Sequence, residues 1–332
     1  MAEFRFSGPT VLSHCFDYPL NATMGRGGLV LLLLAAALVS LFTSAAGFKV
    51  GVSVVNVTPS DEEIATGRIF LGGYGALGFR DGQGYLQPAE GVHDPIWSRA
   101  FVVEDDAGVV AATVVIDAVG ISNRIMNEIR AGVEQTTGIP RDNLFISATH
   151  THCGLDLQGL WGFVTDSYRS LFINETISSV AEAFASRRAA VLSVAETVGY
   201  ARNRRDWGYT DTAMTLLDAA DASTGERIAT VVNFGAHPVT LDSDVLVVSS
   251  DYPHYLRSHM ESELGAPVVF VNGVDGDVSP VMISAKNFER CEEYGVSLAE
   301  IALDAFRNGS FVAVQGTSQS VATTHYTQQC TN

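Results

Sequence analysis

The sequence predicts an α/β fold with a layered, mixed β-sheet core flanked by helices, in a single domain. Stretches rich in β-branched residues alternate with stretches of helical periodicity along most of the chain, an order typical of layered α/β proteins. No linker rich in Pro, Gly or Ser divides the chain between residues 47 and 310. We therefore expect one domain over residues 47–310, preceded by a leader and signal over residues 1–46 and followed by a divergent tail over residues 311–332.

The predicted strands are short apolar runs with a high content of Val, Ile and Phe. The first is FKVGVSVVNV, and the second and third form a hairpin around an Asp-Asp-Ala-Gly turn. In chain order the strands cover residues 48–57, 100–103, 109–116, 144–148, 190–198, 228–234 and 268–272. The Gly-rich residues 71–95 predict a long loop.

The predicted helices have apolar residues at intervals of three and four. In residues 122–137, Ile125, Ile129 and Val133 fall on one face, and Asp166 is the predicted N-cap of residues 166–188. The remaining helices cover residues 251–264 and 285–306.

Residues 1–46 have the features of a secretory signal. Arg26 precedes the uncharged apolar stretch LVLLLLAAALVSLF, and the small residues Ser-Ala-Ala follow it at 44–46. The apolar stretch is about 14 residues long, whereas a membrane-spanning helix needs roughly 20. We expect cleavage near Ala46, with an uncleaved signal anchor as the alternative. Either outcome places the protein in the secretory pathway, secreted or membrane-anchored with its domain on the lumenal or extracellular side.

The charge balance excludes several classes of partner. With 20 Lys and Arg against 37 Asp and Glu, the net charge is −17, so the chain lacks the basic face with which proteins bind nucleic acid. The same balance argues against anchoring on anionic lipid through a basic patch. Three N-glycosylation sequons fit a secreted glycoprotein. They begin at Asn56, Asn174 and Asn308.

Polar clusters follow three of the predicted strands. The strand LFISA leads into His150 and His152, TVVNF leads into His237, and VVFVN leads into a Gly-rich loop with Asp277 and Ser279. In open α/β sheets, functional sites gather at the carboxyl ends of strands. We therefore expect these side chains to meet at one edge of the sheet.

The histidines are candidate metal ligands. His150 and His152 are spaced i, i+2, which on an extended segment places both imidazoles on one side. The pair can supply two zinc ligands, or one ligand and one group for the substrate; alternatively, both are loop histidines without a metal. A lone histidine such as His237 is more often structural. Three of only eight histidines follow strands, however, and this favours a shared metal.

Two further clusters carry groups that suit acyl chemistry. Residues 276–280 predict a tight turn that exposes Ser279, as a nucleophile or as a group that binds the reacting carbonyl. The alternative is an ordinary Asp/Ser turn. The basic run at residues 202–205 either clamps an anionic group or oxyanion, or is a solvated surface run. Asp117, which follows an apolar strand, either supports the site or merely ends that strand.

Taken in order, these clusters resemble the N-terminal catalytic domain of the neutral ceramidase family (neutral/alkaline, non-lysosomal). The run Ala-Thr-His-Thr-His, followed by Ala-His-Pro, Ser-Asp-Tyr-Pro and Gly-Asp-Val-Ser-Pro, is specific in this order. The resemblance spans about residues 47–306. The segments that carry it are residues 57–59, 72–74, 91–95, 99–101, 147–154, 203–204, 233–238, 249–253 and 272–280.

The resemblance implies a zinc-dependent amide hydrolase that splits ceramide, at a membrane surface, into sphingosine and a fatty acid. It implies His150 and His237 as Zn²⁺ ligands, His152 and Arg204 as groups that stabilise the reacting carbonyl, and Ser279 as the active-site serine. Zinc held by two neutral imidazoles keeps its charge, which lowers the pKa of a bound water toward roughly 7. Whether Ser279 attacks the substrate or only hydrogen-bonds to it stays open from the sequence.

The chain departs from the family pattern at three places. Cys153 replaces the serine that usually follows the His-Thr-His run, and Val281 stands where Asn often follows Ser-Pro. The family's remaining zinc ligands, a Glu and a Tyr, lie in a C-terminal part for which no match is found after Phe306, and Tyr326 is a poor substitute. Because a catalytic zinc normally has three protein ligands, the alternative is a truncated, inactive ceramidase homologue or a gene-model fragment.

A second alternative is a binuclear metallohydrolase of the metallo-β-lactamase type, because Thr149-His-Thr-His152 with Asp156 is similar to its His-x-His-x-Asp-His motif. Leu155 and Leu157 occupy the wrong places for that motif, and the Asp-His pair is absent.

Three structural and functional expectations follow from this interpretation. The imidazoles of His150 and His237 should converge within about 4 Å, close enough to share a metal. Arg204 should point into the same cleft, with Arg202 and Arg205 more solvent-facing. Residues 47–332 should hydrolyse ceramide weakly or not at all, because two imidazoles alone hold zinc loosely.

Overall fold

The computed structural model describes residues 47–75, 88–205, 208–281 and 287–314. The predicted signal, residues 1–46, and Tyr326 lie outside the described residues. Within the described ranges, no helix is long and apolar enough to cross a membrane.

The predicted strands and helices occur in the expected chain order, with further strands between them. The strands are Phe48–Asn56 (β1), Gly91–Val92 (β2), Trp97–Glu104 (β3), Val110–Ile116 (β4), Ala118–Ile121 (β5), Leu144–Ala148 (β6), Leu155–Leu157 (β7), Arg188–Val198 (β8), Arg202–Asn203 (β9), Ala213–Asp221 (β10), Arg227–Phe234 (β11), Val247–Val248 (β12), Val268–Asn272 (β13), Val278–Ser279 (β14) and Val312–Ala313 (β15). The helices are Asp61–Ala65 (α1), Asn123–Thr137 (α2), Asp166–Ala185 (α3), Tyr252–Leu264 (α4) and Phe288–Arg307 (α5), with a 3₁₀ turn at Arg141–Asn143.

One large mixed sheet organises the domain. Its strand order is β13-β11-β10-β8-β1-β3-β4-β6, and β15 also pairs with β8, so the predicted tail begins with a strand of this sheet. The outermost pairs, β11 with β13 and β4 with β6, are parallel. The pairs between them are antiparallel. Within each parallel pair, both strands therefore end on the same side of the sheet, and polar loops begin at these ends.

The sheet curls so that the inner faces of its two halves pack against each other. Residues of β1, β3 and β4 form one apolar cluster with residues of β8, β10, β11 and β13. Strand β13 also contacts β3, β4 and β6, which belong to the opposite half. The curl thus brings the two edge strands, β6 and β13, close together.

Helices cover both outer faces of the curled sheet. Helices α2 and α3 pack on the half that contains β1, β3 and β4, where Ile125, Ile129 and Val133 are fully buried. Helices α4 and α5 pack on the half that contains β10, β11 and β13. The layers follow the order helix, sheet, sheet, helix, which confirms the predicted α/β fold with a layered mixed sheet.

Strand β10 is absent from the sequence-based prediction. Its sequence, AMTLLDAAD, has Ala, Met and Leu where strands usually carry β-branched residues, and these types favour a helix. It forms a strand because β8 and β11 pair with it on both sides over nearly its whole length. Tertiary pairing therefore overrides local propensity in this segment.

The N-caps of helices α3 and α4 are defined by side-chain hydrogen bonds, and the first differs from the prediction. Thr165, rather than Asp166, caps α3, because Thr165 Oγ1 accepts a hydrogen bond from Tyr168 N at 3.1 Å. Asp251, at the start of the predicted 251–264 helix, is the N-cap of α4 and accepts from Tyr252 N at 2.7 Å.

A buried ion pair fixes helix α4 to the end of strand β4. Arg257 donates two hydrogen bonds to the carboxylate of Asp117, at 2.8 and 2.9 Å, and both side chains are almost completely buried. Burial by itself raises the pKa of Asp117, but the neighbouring Arg257 and Arg99 charges outweigh it, so the net pKa is lowered. Asp117 therefore ends its strand and anchors a helix.

Replacing Asp117 by Asn should lower the free energy of unfolding by about 3–5 kcal/mol, because Arg257 is then left buried without its counter-charge. Urea unfolding at pH 7 measures this difference. In the matched control, Arg124→Ala breaks the exposed Arg124–Glu128 pair and should leave the midpoint unchanged. A loss below about 1 kcal/mol in Asp117→Asn would contradict the assignment of this pair as a main anchor of α4.

Candidate active site

Three loops that follow strands β6, β11 and β13 build the candidate site. Strands β6 and β13 are the two outer strands of the sheet, and β11 lies next to β13. The curl of the sheet brings the carboxyl ends of these three strands together. Asn272 Nδ2, at the end of β13, donates to Thr149 O, just after β6, at 2.9 Å. The predicted clustering of polar side chains at one edge is therefore present.

Three imidazoles converge at this edge. The Nε2 atom of His237 lies 3.1 Å from His150 Nε2 and 3.1 Å from His152 Nε2. The first distance is within the predicted limit of about 4 Å. In the part of the chain that the structure describes, these three residues form one group whose ligand atoms all lie within 4.8 Å of one another. His150 and His152, which follow β6, thus both lie close to His237, which follows β11.

The backbone fixes which nitrogen of each ring faces the centre. His150 Nδ1 lies 2.6 Å from Val119 O, and His237 Nδ1 lies 2.9 Å from Asp275 O. A carbonyl oxygen only accepts hydrogen bonds, so each Nδ1 must carry the proton. In the neutral rings, both Nε2 atoms then present lone pairs to each other.

Burial supports the neutral form of the central ring. It lowers the pKa of His237, while the nearby Asp275 raises it and His150 lowers it further; the net pKa is below the ordinary value. His237 is therefore neutral at pH 7, as a metal ligand must be.

This donor set fits a metal ion. Two lone pairs that face each other at 3.1 Å repel unless a cation or a shared proton lies between them, and the carbonyl contacts hold them in that orientation. Imidazole nitrogens suit zinc, and ligand histidines usually donate their other N–H to a carbonyl or carboxylate. The type and orientation of these nitrogens therefore fit Zn²⁺, and the two rings provide two of the three protein ligands that a catalytic zinc normally has.

The local conformation of His150 differs from the expected one. The chain is not extended between His150 and His152, because His150 has φ of 67° and a turn follows. A left-handed residue other than Gly or Asn costs energy and persists where its surroundings fix it. The two rings converge because the chain turns, and not because alternate residues of a strand share a side.

A cavity of about 680 Å³ opens beside the imidazoles. Of the three histidines, His152 lines this cavity. Arg204 and Ser279 line it too, so the cavity contains all three predicted catalytic residues. The other lining residues are Gly73, Tyr74, Gly75, Arg202, Asn203, Val239 and Pro280.

Gly73 and Tyr74 shape this cavity, although the sequence pattern indicated no role for them. The ring of Tyr74 lies edge-on to His152 with centroids 4.8 Å apart, and its hydroxyl donates to Leu241 O. A side chain on Gly73 would come within 2.5 Å of the His152 ring, and its φ of 102° also favours glycine. The only available signal was the motif Gly-Gly-Tyr at residues 72–74, one of the segments that carry the family resemblance.

Arg204 is held at the cavity by two contacts with the loop after β13. Its Nε donates to Ser279 Oγ, and its backbone N–H donates to Asp277 O at 2.6 Å. Partial burial lowers the pKa of Arg204, and Asp275 counteracts this. Arginine nevertheless stays charged at neutral pH, so Arg204 gives the cavity a fixed cation.

Arg202 is exposed, as expected, and it also lines the same cavity as Arg204. Strand β9 ends at Asn203, and residues 202 and 204 have the same parity, so extended pairing with β14 directs both toward one side. Arg205 is exposed and lies outside the set of lining residues.

The contacts of Ser279 favour one of its two predicted roles. Its hydroxyl accepts from Arg204 Nε, and no described imidazole or carboxylate is hydrogen-bonded to it. A serine nucleophile needs an adjacent base to remove its proton. The geometry therefore favours Ser279 as a residue that orients Arg204 over Ser279 as a nucleophile.

A binuclear site of the metallo-β-lactamase type would require Asp156 to lie beside the imidazoles, but it does not. Its buried carboxylate accepts hydrogen bonds from five backbone N–H groups of the next loop. The donors are Gln158, Gly159, Leu160, Trp161 and Phe163. Asp156 is therefore a loop-fixing residue.

Comparison with known proteins identifies the family. A sequence model described as neutral/alkaline non-lysosomal ceramidase, N-terminal, matches residues 48–327. The chain belongs to the neutral/alkaline non-lysosomal ceramidase family. The match extends beyond Phe306, where the resemblance recognised in the sequence ended, so that limit was too short.

Two solved structures share the fold of this ceramidase-family chain. A crystal structure of neutral ceramidase from Pseudomonas aeruginosa is 22% identical with a TM-score of 0.70, and the alignment covers 82% of this chain and 47% of that one. A structure described as ceramidase complexed with C2 is 21% identical with a TM-score of 0.69, over 81% of this chain and 45% of that one. The chain thus spans about half the length of these structures.

In this ceramidase-family protein, replacing His150 or His237 by Ala should weaken zinc binding by at least about 100-fold, because each removes a ligand whose tautomer is fixed by the backbone. His152 Nε2 lies as close to His237 Nε2 as His150 Nε2 does, but His152 also lines the cavity. We therefore expect His152 to serve the substrate, and its replacement by Ala to weaken zinc binding less than about tenfold. Competition with a chromophoric chelator measures all three affinities. Equal losses in the three variants would show that His152 is a third ligand.

A fluorophosphonate probe, which reacts with activated serines, should leave Ser279 unlabelled, because no base lies next to its hydroxyl. Mass spectrometry of the tryptic peptide measures the modification, with a serine esterase as the positive control. Stoichiometric labelling that is lost in Ser279→Ala would establish a nucleophile instead.

Proposed function

We propose that this protein hydrolyses the amide bond of ceramide, releasing sphingosine and a fatty acid, with Zn²⁺ held by His150 and His237. The observation that carries this proposal is the convergence of the Nε2 atoms beside a cavity that contains Arg204 and Ser279. Membership of the ceramidase family supports the substrate class.

A zinc ion held by His150 and His237 would supply Lewis-acid chemistry, because it would polarise a carbonyl and lower the pKa of water. Arg204 is anchored through Nε by Ser279, which orients the rest of its guanidinium toward the cavity. A fixed cation at this place stabilises the negative charge that develops on the amide oxygen. His152, on the same wall, donates a hydrogen bond to the reacting carbonyl group.

The cavity also has walls that suit a lipid amide. Tyr74, Val239 and Pro280 contribute apolar or aromatic surface next to the polar groups. Ligand sites commonly combine such surface with a few placed polar groups. The polar side of the cavity binds the amide, and the apolar side contacts the hydrocarbon next to it.

The secretory signal and the location in the secretory pathway stay predictions from the sequence. Asn56, Asn174 and Asn308 are all exposed, as the attachment of glycans to the three sequons requires.

The proposal predicts measurable fatty-acid release from a short-chain ceramide by residues 47–332 with added zinc, at the low rate expected above. Replacing His150 by Ala should abolish this release. In Arg204→Lys the catalytic constant should fall by about 100-fold with little change in KM, because the developing charge loses its oriented donor.

The matched control is Arg205→Lys, because Arg205 is the next residue in the chain, carries the same charge and is exposed. It should keep the wild-type rate. The inactive-homologue alternative predicts instead that the unmutated protein releases no more fatty acid than His150→Ala does.

A further inference from the structure

Residues 249–252, here called the clamp segment, hold the loop that carries His150 and His152. Ser249 N donates to Cys153 O at 3.0 Å, and Ser249 O accepts from Thr151 Oγ1 at 2.9 Å. The clamp segment therefore binds the residues on both sides of His152.

The same segment holds the loop that follows His237. The carboxylate of Asp251 accepts from Thr240 Oγ1 at 2.6 Å, from Thr240 N at 3.1 Å and from Leu241 N at 3.3 Å. Tyr252 OH donates to the carbonyl of Ala236, the residue before His237, at 2.6 Å.

The clamp segment is itself anchored in the core. Ser249 Oγ donates to Asp94 Oδ2 at 2.5 Å and accepts from Asp251 N at 3.0 Å. Asp94 Oδ1 also accepts from Ser250 N at 2.8 Å. Ser249, Ser250 and Asp251 are all buried. These contacts form one continuous network of hydrogen bonds between the two histidine loops.

Backbone strain marks Asp251 as a residue that its surroundings hold in place. Its φ of 59° and ψ of −154° lie in a region that glycine adopts and other residues avoid. Such strain persists only where the structure around a residue determines its conformation, and it concentrates at functional sites. Among the described residues, His150 is one of only two others with a positive φ that are not glycine.

We propose that Asp251 is a positioning residue for the metal centre. It sets the separation between the two histidine loops, so that the Nε2 atoms of His150 and His237 stay close enough to bind one ion. The inference rests on the metal centre of the proposed function and deepens it. Among the described residues no contact joins Asp251 to an imidazole. Its carboxylate therefore acts through Thr240 and Leu241, while its backbone N–H donates to the side chain of Ser249.

The competing interpretation is that Asp251 only caps helix α4. Ser122 provides the matched control, because its side chain caps α2, a helix that packs on the other half of the sheet. Asp251→Gly removes the carboxylate but tolerates the positive φ, so the variant loses the contacts without added backbone strain. Ser122→Ala removes a cap without touching the histidine loops.

The experiment titrates the protein, as residues 47–332, with Co²⁺, which replaces zinc and reports its coordination through its visible absorption. Affinity comes from the titration, geometry from the spectrum, and fold retention from circular dichroism. Asp251→Gly should weaken Co²⁺ binding by 10–100-fold, the range typical of lost supporting contacts around a metal site, and should change the spectrum. Ser122→Ala should keep both within twofold. If both variants stay within twofold of the unmutated protein, or lose affinity equally, the proposal is overturned.

Two milder variants decide the matter if Asp251→Gly does not fold. Thr240→Val removes one hydrogen bond to Asp251, with little change in volume. Thr151→Val, also nearly isosteric, removes the bond to Ser249 O and the one that Thr151 Oγ1 accepts from Cys153 N. A loss of threefold or more in Co²⁺ affinity in both supports the clamp, and unchanged affinity in both, or a loss in one variant alone, overturns it.

The readout separates this inference from the proposed function. A protein that binds Co²⁺ but does not cleave ceramide refutes the substrate and leaves the effect of Asp251 measurable. A protein that binds no Co²⁺ overturns the metal centre and the positioning role together.

Discussion

The candidate site depends on one constraint: the Nε2 lone pairs of His150 and His237 are held facing each other. Val119 and Asp275 each offer a carbonyl that fixes the proton on Nδ1, which aims Nε2 of His150 and His237 at a common point. This arrangement is unfavourable without a cation, so the fold around it must supply the energy that holds the rings in place. The suitability of the site for a metal therefore follows from the backbone carbonyls that orient the rings as much as from the histidines themselves.

The curled sheet is the feature that makes this geometry possible. His150 follows the edge strand β6, and His237 follows β11, near the opposite edge. In a flat sheet these residues would be separated by most of its width. Because the inner faces of the two halves pack together and helices cover the outside, the carboxyl ends of β6 and β13 meet, and Asn272 bonds directly to Thr149. The buried pair of Arg257 and Asp117 fixes α4, the helix that begins at Asp251, against the strand next to β6.

The polar groups beside the imidazoles are arranged as a unit. Arg204 is bound through both its side chain and its backbone to the loop after β13, and that loop also supplies Ser279 and the carbonyl that orients His237. One loop thus links the fixed cation, the serine and His237. The bond from the guanidinium to the serine hydroxyl gives Ser279 a role in orienting Arg204 that does not require it to be a nucleophile.

The sequence by itself determined the alternation of strands and helices, the strand ends that carry chemistry, and the family, because apolar periodicity and the order of short motifs are local properties. It did not predict β10, whose Ala, Met and Leu favour a helix until two neighbouring strands pair with it. It also missed the roles of Gly73, Tyr74 and Asp251, because a turn, a ring contact and a buried carboxylate act only on partners that are distant in the chain. Only the tertiary structure decided which histidine nitrogens converge, because that depends on a positive φ at His150 and on carbonyls from other loops.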